Sequence, residues 1–79
     1  MNIKVLGEGC EKCDKLYENT KEAVAELGID VEVEKVEDLI EIVRLGVLTA
    51  PSILVDGKLI VSGQVATTKN IIKLLKKMM

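Results

Sequence analysis

The only two cysteines stand in Gly9-Cys10-Glu11-Lys12-Cys13, where a short strand-like run gives way to a helical pattern. Ile3 to Leu6 reads as a strand closed by the Gly7-Glu8-Gly9 loop. From Glu11, Cys13, Leu16, Tyr17, Thr20, Val24 and Leu27 recur at the three-and-four spacing of one helix face. The junction is a strand feeding a helix, with one thiol at its start and the other a turn later. Such a pair can open and close a disulfide without moving the fold.

The rest of the chain continues the alternation. Gly28 is placed to stop the helix in a left-handed conformation. Ile29-Asp30-Val31-Glu32-Val33-Glu34 alternates apolar and acidic, the pattern of a half-exposed edge strand. Leu39, Ile40 and Val43 mark a short second helix ended by Gly46. Ser52 to Val55 and Lys58 to Ser62 flank Asp56-Gly57, a two-residue hairpin signal, and Gly63 breaks the second strand. Thr67 or Thr68 caps a last helix carrying Ile71, Ile72, Leu74 and Leu75, with Lys73, Lys76 and Lys77 suited to its negative end. The order is β-α-β-α-β-β-α. The first two strands, joined by a helix, are expected to be parallel with a right-handed crossover. The fold class is α/β: a four-stranded mixed sheet with helices on both faces.

Seventy-nine residues allow one core, so residues 1–79 are expected to form a single domain. The apolar content is nearly all Val, Ile, Leu and Ala, with one Tyr and no Phe or Trp. Bases therefore have no aromatic platform to stack on, and a net charge of −2 offers phosphates no basic surface. No stretch approaches the roughly 20 apolar residues of a membrane span, and the start lacks the apolar core and cleavage site of a signal peptide. The reading is a cytoplasmic monomer that binds neither nucleic acid nor membrane.

In a reducing compartment a paired-cysteine motif points to redox chemistry or metal binding rather than a structural staple. A disulfide across so short a loop stabilises by roughly 2 kcal/mol or less. At a helix start, unpaired N–H groups and the helix dipole favour a negative Cys10 sulfur. Lys12 adds positive charge, and Glu8 and Glu11 oppose it. The gain matters because a thiol of pKa about 8.5 is only about 3% thiolate at pH 7. With no histidine, Cys–His hydrolysis cannot be built from one chain. The rival reading is copper or zinc binding or transfer through the two thiolates. Small copper-binding domains also open their first helix with Cys-x-x-Cys. They usually place Met where Glu8 stands and end in a strand, whereas this chain ends in a helical pattern. A zinc site would need two further ligands.

A strand, then Cys-x-x-Cys opening a helix, then Pro51, the only proline, just before a hairpin: over its whole length the chain resembles the thioredoxin and glutaredoxin superfamily. In size it is similar to the short, glutaredoxin-sized thioredoxins of archaea and anaerobic bacteria. The resemblance implies a thioredoxin-like fold and a thiol–disulfide oxidoreductase that reduces protein disulfides. It makes Cys10 the attacking thiol and Cys13 the resolving thiol; the tuning of the thiolate by Lys12 is read from its charge alone. It also makes Pro51 cis and facing the disulfide, with the Ala50 backbone offering hydrogen bonds to an extended substrate. No cofactor is implied beyond the redox-active Cys10–Cys13 disulfide. The partners would be disulfide-containing proteins and an electron donor of the thioredoxin-reductase type. The chain departs from the usual pattern at Gly9, where thioredoxins carry Trp, at Glu11-Lys12, where they carry Gly-Pro, and at Lys4, where they carry a buried acid. The basic residue and Gly-Gly…Asp by which glutaredoxins hold glutathione are absent; Glu8 and Gly63-Gln64-Val65-Ala66-Thr67-Thr68 stand there.

Overall fold

The computed structural model describes residues 1–7, 11–47 and 50–78. Strand β1 (Ile3–Leu6) leads to helix α1 (Glu11–Leu27), strand β2 (Val33–Val36) and helix α2 (Leu39–Arg44). Strands β3 (Ser52–Val55) and β4 (Lys58–Ser62) and helix α3 (Thr68–Met78) complete the α/β order. The sheet runs β2-β1-β3-β4; β1 and β2 are parallel, and the other neighbouring pairs are antiparallel. The strand period sorts the core between two faces. Ile3, Val5, Ile53, Val55 and Val61 meet Leu16, Ala23 and Val24 of α1 and Ile71 and Leu75 of α3. Leu6, Val36 and Leu54 point the other way, to Ile42 of α2 and to Val47. Helices cover both faces, as the pattern predicts.

Helix α1 ends where expected, with Gly28 at φ +66°. Thr20, in the middle of its buried stripe, is tolerated because its hydroxyl donates to the Leu16 carbonyl at 2.7 Å. The hairpin turn puts Asp56 and Gly57 at φ 51° and 82°, the left-handed values that such a two-residue turn requires. The turn is tied to the chain start: Asp56 N–H donates to the Asn2 carbonyl, and Asn2 N–H donates to the Asp56 carboxylate.

One expectation needs correction. The second strand is Val33–Val36, not the alternating run from Ile29. Ile29, Val31 and Val33 do pack inward, but the ladder begins only where Val33 comes opposite Ile3. In α2, Leu39, Ile40 and Val43 are exposed, and the buried residue is Ile42. A helix this short touches the sheet through a single side chain. It starts at Asp38, whose carboxylate accepts from Ile40 N–H.

The cap of α3 is Thr67, whose hydroxyl oxygen accepts from Asn70 N–H at 3.2 Å. Thr67→Ala is expected to cost about 1 kcal/mol, lowering the melting temperature by roughly 4–8 °C. Thr68→Ala should leave it nearly unchanged. Thermal melts of the two variants distinguish the caps; equal melts would mean that Thr67 contributes nothing.

Candidate functional site

Of the two cysteines, Cys10 lies outside the described residues, together with Glu8 and Gly9. Cys13 sits in the first turn of α1, only 1% exposed, and is disulfide-bonded. It opens the inward stripe continued by Leu16, Thr20, Ala23 and Val24.

What Cys13 packs on is Gly7, the residue just past β1. A Cβ built on Gly7 would lie 2.6 Å from the Cys13 Cβ and closer still to its Sγ. Only a residue without a side chain lets the helix approach the strand this closely. Gly7 is itself buried, and its N–H donates to the Val36 carbonyl at 3.0 Å, continuing the β1–β2 pairing. The sequence shows Gly7 only as loop punctuation. A glycine directly after a strand and before a paired-cysteine motif was the available signal.

Pro51 reaches the same end of the sheet through the strand register. The last β1–β3 pair is Leu6 with Ser52, so Gly7 and Pro51 extend their two strands at one end. Pro51 is buried, its bond to Ala50 is cis, and its carbonyl accepts from Gly63 N–H at 2.9 Å. Having no N–H, it costs the sheet no donor at this strand start. Ala50 is exposed beside it, and Lys12 is exposed on α1. Lys4 stands on the other face of β1, in a depression with Leu45 and Leu54, opposite Glu34 and Leu54 in the register.

A charged cluster flanks Cys13 on the β2 side. The Lys35 ammonium is ion-paired to Asp14 and, at 3.1 Å, to Glu37, and it lies 5.3 Å from the Tyr17 ring centroid. Lys21 lies 5.2 Å from the same ring, so two cations flank the only aromatic side chain. The cluster ties the first turn of α1 to β2. No local pattern in the sequence could show it, because Lys35 and Asp14 are 21 residues apart. Hydrogen bonds to Asp14 and then Glu37 hold the Lys35 ammonium above its ordinary titration range, partly opposed by desolvation. Because the folded value is raised, this contribution to stability is complete below the unfolded lysine pKa and is lost as pH rises through the folded one. Urea midpoints should therefore fall slightly more for the wild type than for Lys35→Met above about pH 10.5. Parallel alkaline profiles would mean that the ion pairs contribute nothing.

Among the described residues no group of three or more His, Cys, Asp or Glu side chains could hold a metal ion. No described helix is long and apolar enough to cross a membrane.

Comparison with known proteins agrees with this geometry. A family model described as a thioredoxin domain matches residues 1–76. A protein named thioredoxin from Methanothermobacter thermautotrophicus is 43% identical over 75 residues, covering 95% of this chain and 97% of its own length. One of the same name from Methanocaldococcus jannaschii is 40% identical over 74 residues, covering 94% of this chain and 85% of its own.

Proposed function

The chain belongs to the thioredoxin domain family, and from that premise we propose that it reduces protein disulfides through a Cys10–Cys13 dithiol cycle. The observation that carries the reading is Cys13: buried, at the first turn of α1, and disulfide-bonded in a chain with one other cysteine. Residues 1–79 act as one thioredoxin-like domain, monomeric and cytoplasmic, with the Cys10–Cys13 disulfide as the only redox group.

In the cycle the Cys10 thiolate attacks one sulfur of a substrate disulfide and expels the other as a thiolate. A mixed disulfide between Cys10 and the substrate results. Cys13, deprotonated in turn, attacks the Cys10 sulfur and releases the second substrate thiolate. The substrate gains two electrons and two protons, and Cys10–Cys13 is left oxidised. An electron donor of the thioredoxin-reductase type returns the pair to the dithiol. Pro51 extends β3 at the end of the sheet where Gly7 packs on Cys13, and the exposed Ala50 backbone beside it aligns the substrate strand. Lys12 favours the Cys10 thiolate by charge; Lys12→Glu should raise the Cys10 pKa. Thiolate absorbance followed against pH reads the shift, and an unchanged titration would remove Lys12 from the role.

The reading is tested by equilibrating the protein in a dithiothreitol or glutathione series and measuring reduction of a protein disulfide. A potential near about −270 mV with turnover is expected of a reductant, whereas one near about −120 mV would mark an oxidant. No disulfide reduction above the dithiothreitol background would sink the proposal.

A further inference from the structure

No acidic residue follows Asp56, while Lys58, Lys69, Lys73, Lys76 and Lys77 all do. Four of these lysines are on α3, which carries no acid, and none of the four is ion-paired among the described residues. Lys69, Lys73 and Lys77 repeat at four-residue intervals, so they share a helix side and repel one another. The helix dipole explains Lys76 and Lys77 in the last turn; it does not explain Lys69, in the first turn, or Lys73, at the middle. This row costs helix stability in the free protein.

The lysines border a groove. Between β4 and α3 runs a cavity of about 420 Å³, floored by Ile60, Val65 and Leu74 and edged by Asn70, Lys73 and Lys77. Val65 is 36% exposed, and Ile60 and Leu74 are half-buried. Gln64 and Val65, in the loop after Gly63, line the groove, and the Gly63 N–H donates to the Pro51 carbonyl. Asn19 of α1 fixes the same loop, donating to the Ala66 carbonyl at 3.0 Å.

We propose that this groove docks an acidic polypeptide segment of the disulfide-bearing partner, its apolar side chains on Ile60, Val65 and Leu74 and its carboxylates against Lys73 and Lys77. The partner class rests on the oxidoreductase reading; the docking itself does not. A polypeptide suits the site better than other anions. The floor is aliphatic, with no aromatic ring for a base to stack on. The apolar side of α3 is already spent on the core through Ile71 and Leu75, which leaves little to insert into a lipid surface. Opposite charge across such a contact sets partner choice and encounter rate more than bulk affinity.

The test uses cysteine-free synthetic peptides, one alternating Asp and Glu with Leu and Val, the other with Lys in place of every acid. Binding to the full isotope-labelled chain is followed by amide shifts. The acidic peptide should bind and shift Ile60, Val65 and Leu74, and the basic one should not. Lys73→Glu with Lys77→Glu should weaken it roughly tenfold, as should salt that shortens the screening length to about 3 Å. Lys73→Gln with Lys77→Gln should fall between, which separates lost attraction from a misfolded groove. Equal affinity for the two peptides, unchanged affinity in the Glu variant, shifts confined elsewhere, or tighter binding of an oligonucleotide or an anionic vesicle would each overturn the proposal. Turnover of a small uncharged disulfide, measured alongside, fails only if the oxidoreductase reading fails.

Discussion

Cys13→Ser is expected to abolish turnover while leaving a stable mixed disulfide between Cys10 and the substrate, approaching one per protein molecule. The first attack needs only a thiolate at the helix start. The second needs the sulfur at Cys13, and a serine hydroxyl, protonated at neutral pH and a poor nucleophile towards sulfur, cannot replace it. Cys10→Ser should lose turnover as completely but form no adduct, because the remaining thiol is 1% exposed beneath the first turn and packed on Gly7. Lysate passed over each variant, then non-reducing electrophoresis and mass spectrometry, reads both outcomes and identifies the captured proteins. Adducts on both variants in equal amount would overturn the division of roles. Absence of adducts on both, with tight copper or zinc binding by the wild type, would replace the redox cycle by metal transfer.

The parts of this fold that were legible in the sequence are those decided by local chemistry. Asp56-Gly57 fixes the hairpin because few other pairs adopt two consecutive left-handed residues, and β3 and β4 lie where it places them. The period from Cys13 to Leu27 and the stop at Gly28 likewise locate α1. Where partners distant in sequence decide, local reading loses its hold. The alternation from Ile29 reports which side chains face inward, and that is what Ile29, Val31 and Val33 do. It does not report which residues form the ladder; the register with Ile3–Leu6 and the Gly7 hydrogen bond to Val36 select 33–36. In α2 a turn and a half of helix is too short for its apolar positions to declare which of them faces the sheet: Leu39, Ile40 and Val43 mark the helix, but Ile42 is the residue it buries. The site divides in the same way. Cys13 and Pro51 announce themselves by residue type and spacing. Gly7 and the Asp14–Lys35–Glu37 cluster exist only once β1, β2 and α1 have come together.

Gly7→Ala is the substitution in which a single methyl group should have the largest structural effect. Gly7 does not occupy the left-handed region, so the backbone would accept alanine without strain. With space available, the exchange would stabilise by about 0.4–1 kcal/mol, because alanine has fewer unfolded conformations to lose. Space is not available: the new Cβ would meet both side-chain atoms of Cys13, 2.6 Å from its Cβ, and neither belongs to a flexible tip that could swing aside. Either α1 lifts from the sheet or the first turn distorts, and such overpacking costs typically about 1–3 kcal/mol. The expected result is therefore a fall in melting temperature of roughly 5–20 °C, opposite in sign to the conformational effect alone. Cys13→Gly in the same background, with both proteins compared under reducing conditions, removes the atoms that clash. Its own cost of about 1 kcal/mol as a helix glycine should then be partly recovered, giving a favourable coupling between the two sites. A Gly7→Ala protein as stable as the wild type would mean that α1 does not approach β1 this closely. Additive effects of the two substitutions would mean that the clash lies elsewhere than at Cys13.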